Sequence, residues 1–133
     1  MLLQAITIRD QFYDQARRSV DFIKRFIFPG SFIPSVQAMV DSLARVTDLK
    51  LFHLEDIGPY YTRTLRIWRE RLLARQSEVC GQGYPESFVR MWEYYLRYCE
   101  GGFEERQLGD VQMLLTKPRS RRSAIATVDA SPA

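Results

Sequence analysis

The chain has 133 residues, of which 46% are apolar, 13% aromatic and 26% charged. That length and composition fit one globular domain with a real core, which at this size removes about 65–70% of the unfolded surface from water. Two cysteines, Cys80 and Cys99, exclude a disulfide scaffold, and a reduced cytosolic chain is the default reading.

The net charge of +3 would invite a nucleic-acid or membrane partner, so its location matters. Residues 1–115 hold 15 bases and 15 acids and sum to zero. The excess comes from Lys117, Arg119, Arg121 and Arg122 against Asp129, in a C-terminal tail. No apolar run approaches the ~18–20 residues of a membrane span. The opening MLLQAITIRD has neither a basic leader nor a small-residue cleavage site. Of the 19 bases 16 are arginine, a bias that suits planar anion contacts and that a GC-rich coding genome also produces.

In chain order, residues 2–8 (LLQAITI) read as a short apolar strand with no polar lead-in, which hints at a missing upstream element. Asp21 to Phe28 can form a helical turn or two, ended by Pro29-Gly30 and Pro34. Ser35 is a candidate N-cap for a helix carrying Val36, Met39, Val40, Leu43 and Val46 on one face. Residues 49–56 alternate as a second strand, closed by Gly58-Pro59. A long helix is predicted from about Tyr60 to Val79, striped by Tyr61, Leu65, Trp68 and Leu72. Gly81, Gly83 and Pro85 break it, and another helix runs from Glu86 to about Arg106. Val111 to Thr116 reads as a third strand, stopped by Pro118, and the remainder has disordered composition. About three strands with four to five helices, in this order, match the end of an α/β sheet.

Several chemistries fail on inventory. The sequence has no phosphate-binding loop of the Walker type, no G-x-G-x-x-G after a strand, no C-x-x-C and no H-E-x-x-H. The single histidine, His53, rules out a multi-histidine zinc site or a histidine dyad and reads as a core or sheet-surface residue. Tyr95, Cys99 and Phe103 recur at i, i+4, i+8 and line one helix face, and Tyr61 and Leu65 repeat the spacing. Such stripes are either plain core or the wall of a channel for a long apolar ligand, with tyrosine hydroxyls as its few polar points. Spacing leaves both readings open. The same holds for FIKRFIFPGSFIP, whose aromatics are either buried or form a lid whose Lys24 and Arg25 meet lipid phosphates.

Three blocks, VDFIKRFIFPGSFIPS, YYTRTLRIWRERL and FVRMWEYYLRYCEGGFEERQLGDVQMLLTKP, resemble the C-terminal part of the cyclopropane-fatty-acyl-phospholipid synthases and mycolic acid cyclopropane synthases. The likeness runs over roughly residues 2–118 and excludes the tail, so 1–118 is expected to be a methyltransferase segment and 119–133 a disordered basic tail. The resemblance implies a Rossmann-like class I methyltransferase fold, a mixed sheet with its last strand antiparallel, here lacking the N-terminal cofactor-binding half. It implies methylene transfer from S-adenosylmethionine to a cis double bond of a phospholipid acyl chain, with bicarbonate taking up the proton.

By position, Tyr61 matches a bicarbonate-site tyrosine, and Ile6 a residue whose backbone holds the same ion. Gln4 falls where characterised members carry a histidine, and its amide donates hydrogen bonds but holds no proton charge. Phe28, Ile33, Leu65, Tyr95, Cys99 and Phe103 match positions lining the acyl channel. The glycine-rich loop, the ribose-binding acid and the Cys and Glu of the bicarbonate site have no counterpart. The chain is therefore expected to be a segment of a truncated or split synthase, inactive alone and not binding S-adenosylmethionine tightly. Its partners would be membrane phospholipid acyl chains and the missing half, with no nucleic acid, at the cytoplasmic face of the inner membrane. The alternative is a non-catalytic basic helical module that holds nucleic acid or anionic lipid.

Overall fold

The computed structural model describes residues 1–121. Most of the predicted tail, residues 122–133, lies outside the described residues. Three strands form one sheet: β1 (Leu2–Ile8), β2 (Lys50–Asp56) and β3 (Leu108–Thr116). Their order is β1-β3-β2, and β3 runs antiparallel to both neighbours. The last strand in sequence is therefore the middle strand in space. Leu3 faces Met113 and Ala5 faces Val111 across one interface, while Leu54 faces Met113 across the other.

Among the described residues five α-helices and one π-helical turn accompany the sheet. They are α1 (Asp10–Arg18), the π turn (Ile23–Ile27), α2 (Val36–Val46), α3 (Gly58–Ala74), α4 (Gln76–Gly81) and α5 (Glu86–Glu104). Helix α2 starts where the sequence places it: Ser35 is buried and its Oγ accepts the Ala38 N–H at 3.2 Å, satisfying one of the free donors of the first turn. Val36, Met39, Val40 and Leu43 pack on an aliphatic cluster of Val111, Met113 and Leu115, whereas Val46 is exposed. Leu49, Leu51 and Leu54 join the same cluster. Strict alternation would send Leu51 and Leu54 to opposite faces; an irregularity between Leu51 and His53 inserts one residue and turns both inward. His53 is exposed on this edge strand.

Several boundaries differ from the sequence reading. Helix α1 occupies residues to which that reading assigned no element. Gly58-Pro59 does not merely close β2 but opens α3, with Pro59 in the first turn where its missing N–H costs nothing. The long helix is interrupted at Arg75, so α3 ends at Ala74 and α4 follows.

Helices α3 and α5 pack along their lengths against each other, and Leu108 at the start of β3 meets them. Their seam is built from Leu65, Leu96, Cys99 and Phe103, with Ile23, Tyr61, Leu72, Tyr95 and Leu108 against it.

Candidate functional site

The α3–α5 seam gathers five of the six predicted channel residues. Leu65 comes from α3, one turn beyond Tyr61; Tyr95, Cys99 and Phe103 come from successive turns of α5. Tyr61 stacks on Phe103 with ring centroids 5.0 Å apart and meets Trp68 edge-on at 6.5 Å. Phe28, which follows the π turn, closes over the end of the seam and meets Tyr95 edge-on at 5.8 Å. Trp92 completes that corner, 5.4 Å from Tyr95 and 6.4 Å from Phe28. These are the tilted and offset ring arrangements that the aromatic quadrupole favours.

Burial sets the electrostatics of the seam. It pushes the Tyr95 hydroxyl up from 10.0 to about 12, with the adjacent Cys99 adding to the rise. It pushes the Cys99 thiol from 9.0 to about 11, and the neighbouring Tyr95 hydroxyl offsets part of that rise. Burial thus favours the neutral thiol of Cys99. At the outer side of the seam buried Glu100 accepts from Arg66 Nε at 2.7 Å, and Arg69 Nε stands 3.6 Å from its other oxygen. Pairing with Glu100 raises Arg66 above its ordinary value. Sequence spacing gave no sign of this pair, which joins residues on different helices.

Ile33 does not join the seam. It lines a separate cavity of about 590 Å³ between α1, the π turn and another face of α5.

Gln4 and Ile6 sit two residues apart on β1, on the face that β1 leaves exposed. Ile6 pairs with Asp110 across the ladder. Gln4 Nε2 donates to Asp110 Oδ2 at 2.8 Å, and its carbonyl accepts from Gln112 Nε2 at 3.4 Å. Asp110 is 1% exposed, and its Oδ1 has no hydrogen-bond partner. It is the residue sequence reasoning missed; only strand pairing brings it to Gln4, 106 positions away in the chain. The Asp110 carbonyl also accepts the Ile57 N–H at 2.7 Å, which ties β3 to the start of α3, one turn before Tyr61. Among the described residues no hydrogen bond joins Tyr61 to Gln4.

Among the described residues, the start of α3 is where a strand leads through glycine into a helix, as a nucleotide cradle would. It is filled by the protein itself. Gly58 N–H donates to Asp56 Oδ1 at 2.8 Å, so a carboxylate already faces the positive end of the helix. A Cβ on Gly58 would lie 2.9 Å from Asp56 Oδ1 and 3.0 Å from Asp110 N, so this glycine serves close packing. The described residues do not fit a nucleotide cofactor there. No helix among them is long and apolar enough to cross a membrane, and they contain no cluster of metal-ligating side chains.

A sheet whose last strand enters antiparallel between two earlier ones, covered by paired helices, is the C-terminal portion of a Rossmann-like class I methyltransferase fold. The chain belongs to the mycolic acid cyclopropane synthetase family, whose model matches residues 1–113. It is 37% identical over 86% of its length to the tuberculostearic acid methyltransferase UfaA1 of Mycobacterium tuberculosis, and covers 27% of that protein. Over 72% of its length it is 33% identical to the cyclopropane-fatty-acyl-phospholipid synthase of Escherichia coli, covering 24% of it. The solved cyclopropane synthase MmaA2 of Mycobacterium tuberculosis superposes with a TM-score of 0.74 at 27% identity, over 87% of this chain and 43% of that one. The chain thus spans about a quarter of the length of the curated relatives it matches.

Proposed function

We propose that this chain is the acyl-binding portion of an S-adenosylmethionine-dependent enzyme that adds one carbon to the cis double bond of a phospholipid acyl chain. The observation that carries the reading is the α3–α5 seam: Tyr61, Leu65, Tyr95, Cys99 and Phe103, spaced over 43 residues of sequence, meet in one aromatic-walled cluster capped by Phe28. Apolar walls exclude water from a reacting hydrocarbon, and the tyrosine hydroxyls are its sparse polar points.

Gln4, Ile6 and Tyr61 would hold a bicarbonate ion, which when bound supplies a base for the proton released. Asp110 fixes the Gln4 amide by taking one of its two hydrogens, and leaves the other to donate. S-adenosylmethionine, the carbon donor, finds no fitting residues at the start of α3, and its site is assigned to the rest of the catalytic fold. The chain works with that half, at the cytoplasmic face of the membrane whose acyl chains are its substrate, and is inactive by itself.

Calorimetry of the chain alone with S-adenosylmethionine is expected to show no heat of binding. Joined to the cofactor-binding half of the Escherichia coli relative, it is expected to incorporate labelled methyl carbon into unsaturated phospholipid. Tyr61→Phe, which removes one hydrogen-bond donor from the bound bicarbonate, should lower that rate about 10²-fold. A chimera that binds S-adenosylmethionine yet leaves the lipid unlabelled overturns the reading.

A further inference from the structure

Helix α5 presents two faces to different surroundings. The Tyr95–Cys99–Phe103 face is closed against α3. A neighbouring face, with Tyr98 and Gly101, looks into the cavity of about 590 Å³. Its other walls include Phe12 of α1, Ile33, and Ile23 and Leu108, which also touch the seam and so form the partition between the two. The volume falls within the range of small-molecule pockets, and the walls are mainly apolar.

The two adjacent glycines of α5 differ in what holds them as glycine. A Cβ on Gly102 would lie 2.9 Å from Leu108 Cδ1, so packing forbids a larger residue. A Cβ on Gly101 would meet nothing within 4 Å, and the backbone there is ordinary α-helix. Glycine in a helix is less favourable than alanine. At position 101 neither contact nor conformation requires it; what it leaves is empty volume in the cavity.

The rim bears both signs of charge. The Lys24 ammonium donates to the Ala16 and Ser19 carbonyls and has no carboxylate within ion-pair distance among the described residues, so its third hydrogen is free for an anion. Asp21 and Glu105 stand at the same rim. A base beside two acids complements a zwitterionic headgroup rather than a free fatty acid.

We propose that this cavity is a second lipid pocket, separate from the α3–α5 seam, which takes a single acyl chain of a zwitterionic phospholipid and is kept open by Gly101. The proposal rests on the reading of the chain as part of a lipid-modifying enzyme. The 133-residue chain, titrated calorimetrically with monomeric oleoyl-lysophosphatidylcholine, should bind one molecule. Gly101→Leu extends a side chain from a Cβ that meets nothing within 4 Å and should weaken binding about tenfold or more, since hydrophobic pockets discriminate single methylenes by about 10–200-fold. Its thermal midpoint should stay level or rise, because the substitution improves helix propensity. Ala16→Leu fills the cavity from α1, a helix with no buried residue, and should weaken binding without touching the core.

Wild-type affinity in both folded variants overturns the second pocket: the lipid then binds in the seam, and this face of α5 is covered by another part of the polypeptide. Absence of binding by the unaltered chain also overturns it. Neither result bears on the carbon-transfer reading, which the labelled-methyl chimera decides separately.

Discussion

Two buried helix faces share the same apolar spacing and differ in chemistry, that of α2 against the sheet and that of α5 against α3. Under α2 the contacts are aliphatic: Val111, Met113 and Leu115 against Val36, Met39, Val40 and Leu43. Between α3 and α5 they are aromatic and polar-tipped, with Tyr61 stacked on Phe103, Tyr95 beside Cys99, and a buried Glu100 paired to Arg66 at the margin. An aliphatic cluster does one thing, which is to remove surface from water. A seam that retains hydroxyls, a thiol and a carboxylate gives up some of that gain, and such retention is where function is to be sought. Periodicity reports that a face is buried; the side-chain inventory of the face reports what for.

Substitutions on the two faces sharpen this contrast. Met113, fully buried beneath α2, should be the most costly to truncate: Met113→Ala is expected to destabilise by about 2–5 kcal/mol in denaturant unfolding. A cost below about 1 kcal/mol would mean that the aliphatic cluster is not the core of the fold. On the other face, Glu100→Ala leaves the enclosed Arg69 without its carboxylate and should cost about 1–3 kcal/mol, less than a fully buried pair because Arg66 is half-exposed. Replacing Glu100 by Met tests the same point from the other side, since it removes the charge and keeps the volume.

The smallest effect is one of pH. Folding raises the Cys99 thiol from 9.0 to about 11, so the neutral form's preference for the fold is fully present below pH 9 and is lost as pH rises toward 11. Tyr95, raised from 10.0 to about 12, extends the loss to higher pH. Alkylation should accordingly label half-buried Cys80 at pH 8 and spare Cys99 until well above pH 9. Tyr95→Phe removes the hydroxyl that lowers the Cys99 value and should move its labelling to higher pH still. Ready labelling of Cys99 at pH 8 would break the picture of a closed, dry seam.

Much of this was legible in the sequence where a local signal and burial agree. The Ser35 cap, the α2 stripe, the first strand and the stripes of α3 and α5 all follow from spacing. Helix α1 escaped because it carries no capping side chain and no buried residue, so neither a start signal nor a core stripe marks it. The third strand begins three residues earlier than its apolar run, at Leu108, because Gly109-Asp110 looks like a turn. In the structure Gly109 is there because Thr7 Oγ1 would lie 2.9 Å from any Cβ, and Asp110 is held by Gln4. Both are long-range reasons, invisible to a local reading. The candidate site divides in the same way. Tyr61, Leu65, Tyr95, Cys99 and Phe103 share a period and could be grouped in advance. Ile33 lies apart, Glu100 with Arg66 and Asp110 with Gln4 depend on pairings across the chain, and no spacing encodes them.

The position of β3 between β1 and β2 has a consequence for synthesis. Every strand pairing in the sheet uses β3, which is made last. At about 5–20 residues per second, β1 waits roughly 5–20 s after leaving the ribosome before β3, its partner among the described strands, exists. Through that interval Leu2, Leu3, Ala5, Ile6 and Ile8 form an unpaired apolar edge of the kind that templates association between chains. The bond from the Met1 amine to the Leu115 carbonyl, 2.8 Å long and spanning 114 positions, closes only at the end. The nascent segment is most in need of a chaperone before β3 appears, and least in need once residue 116 has docked.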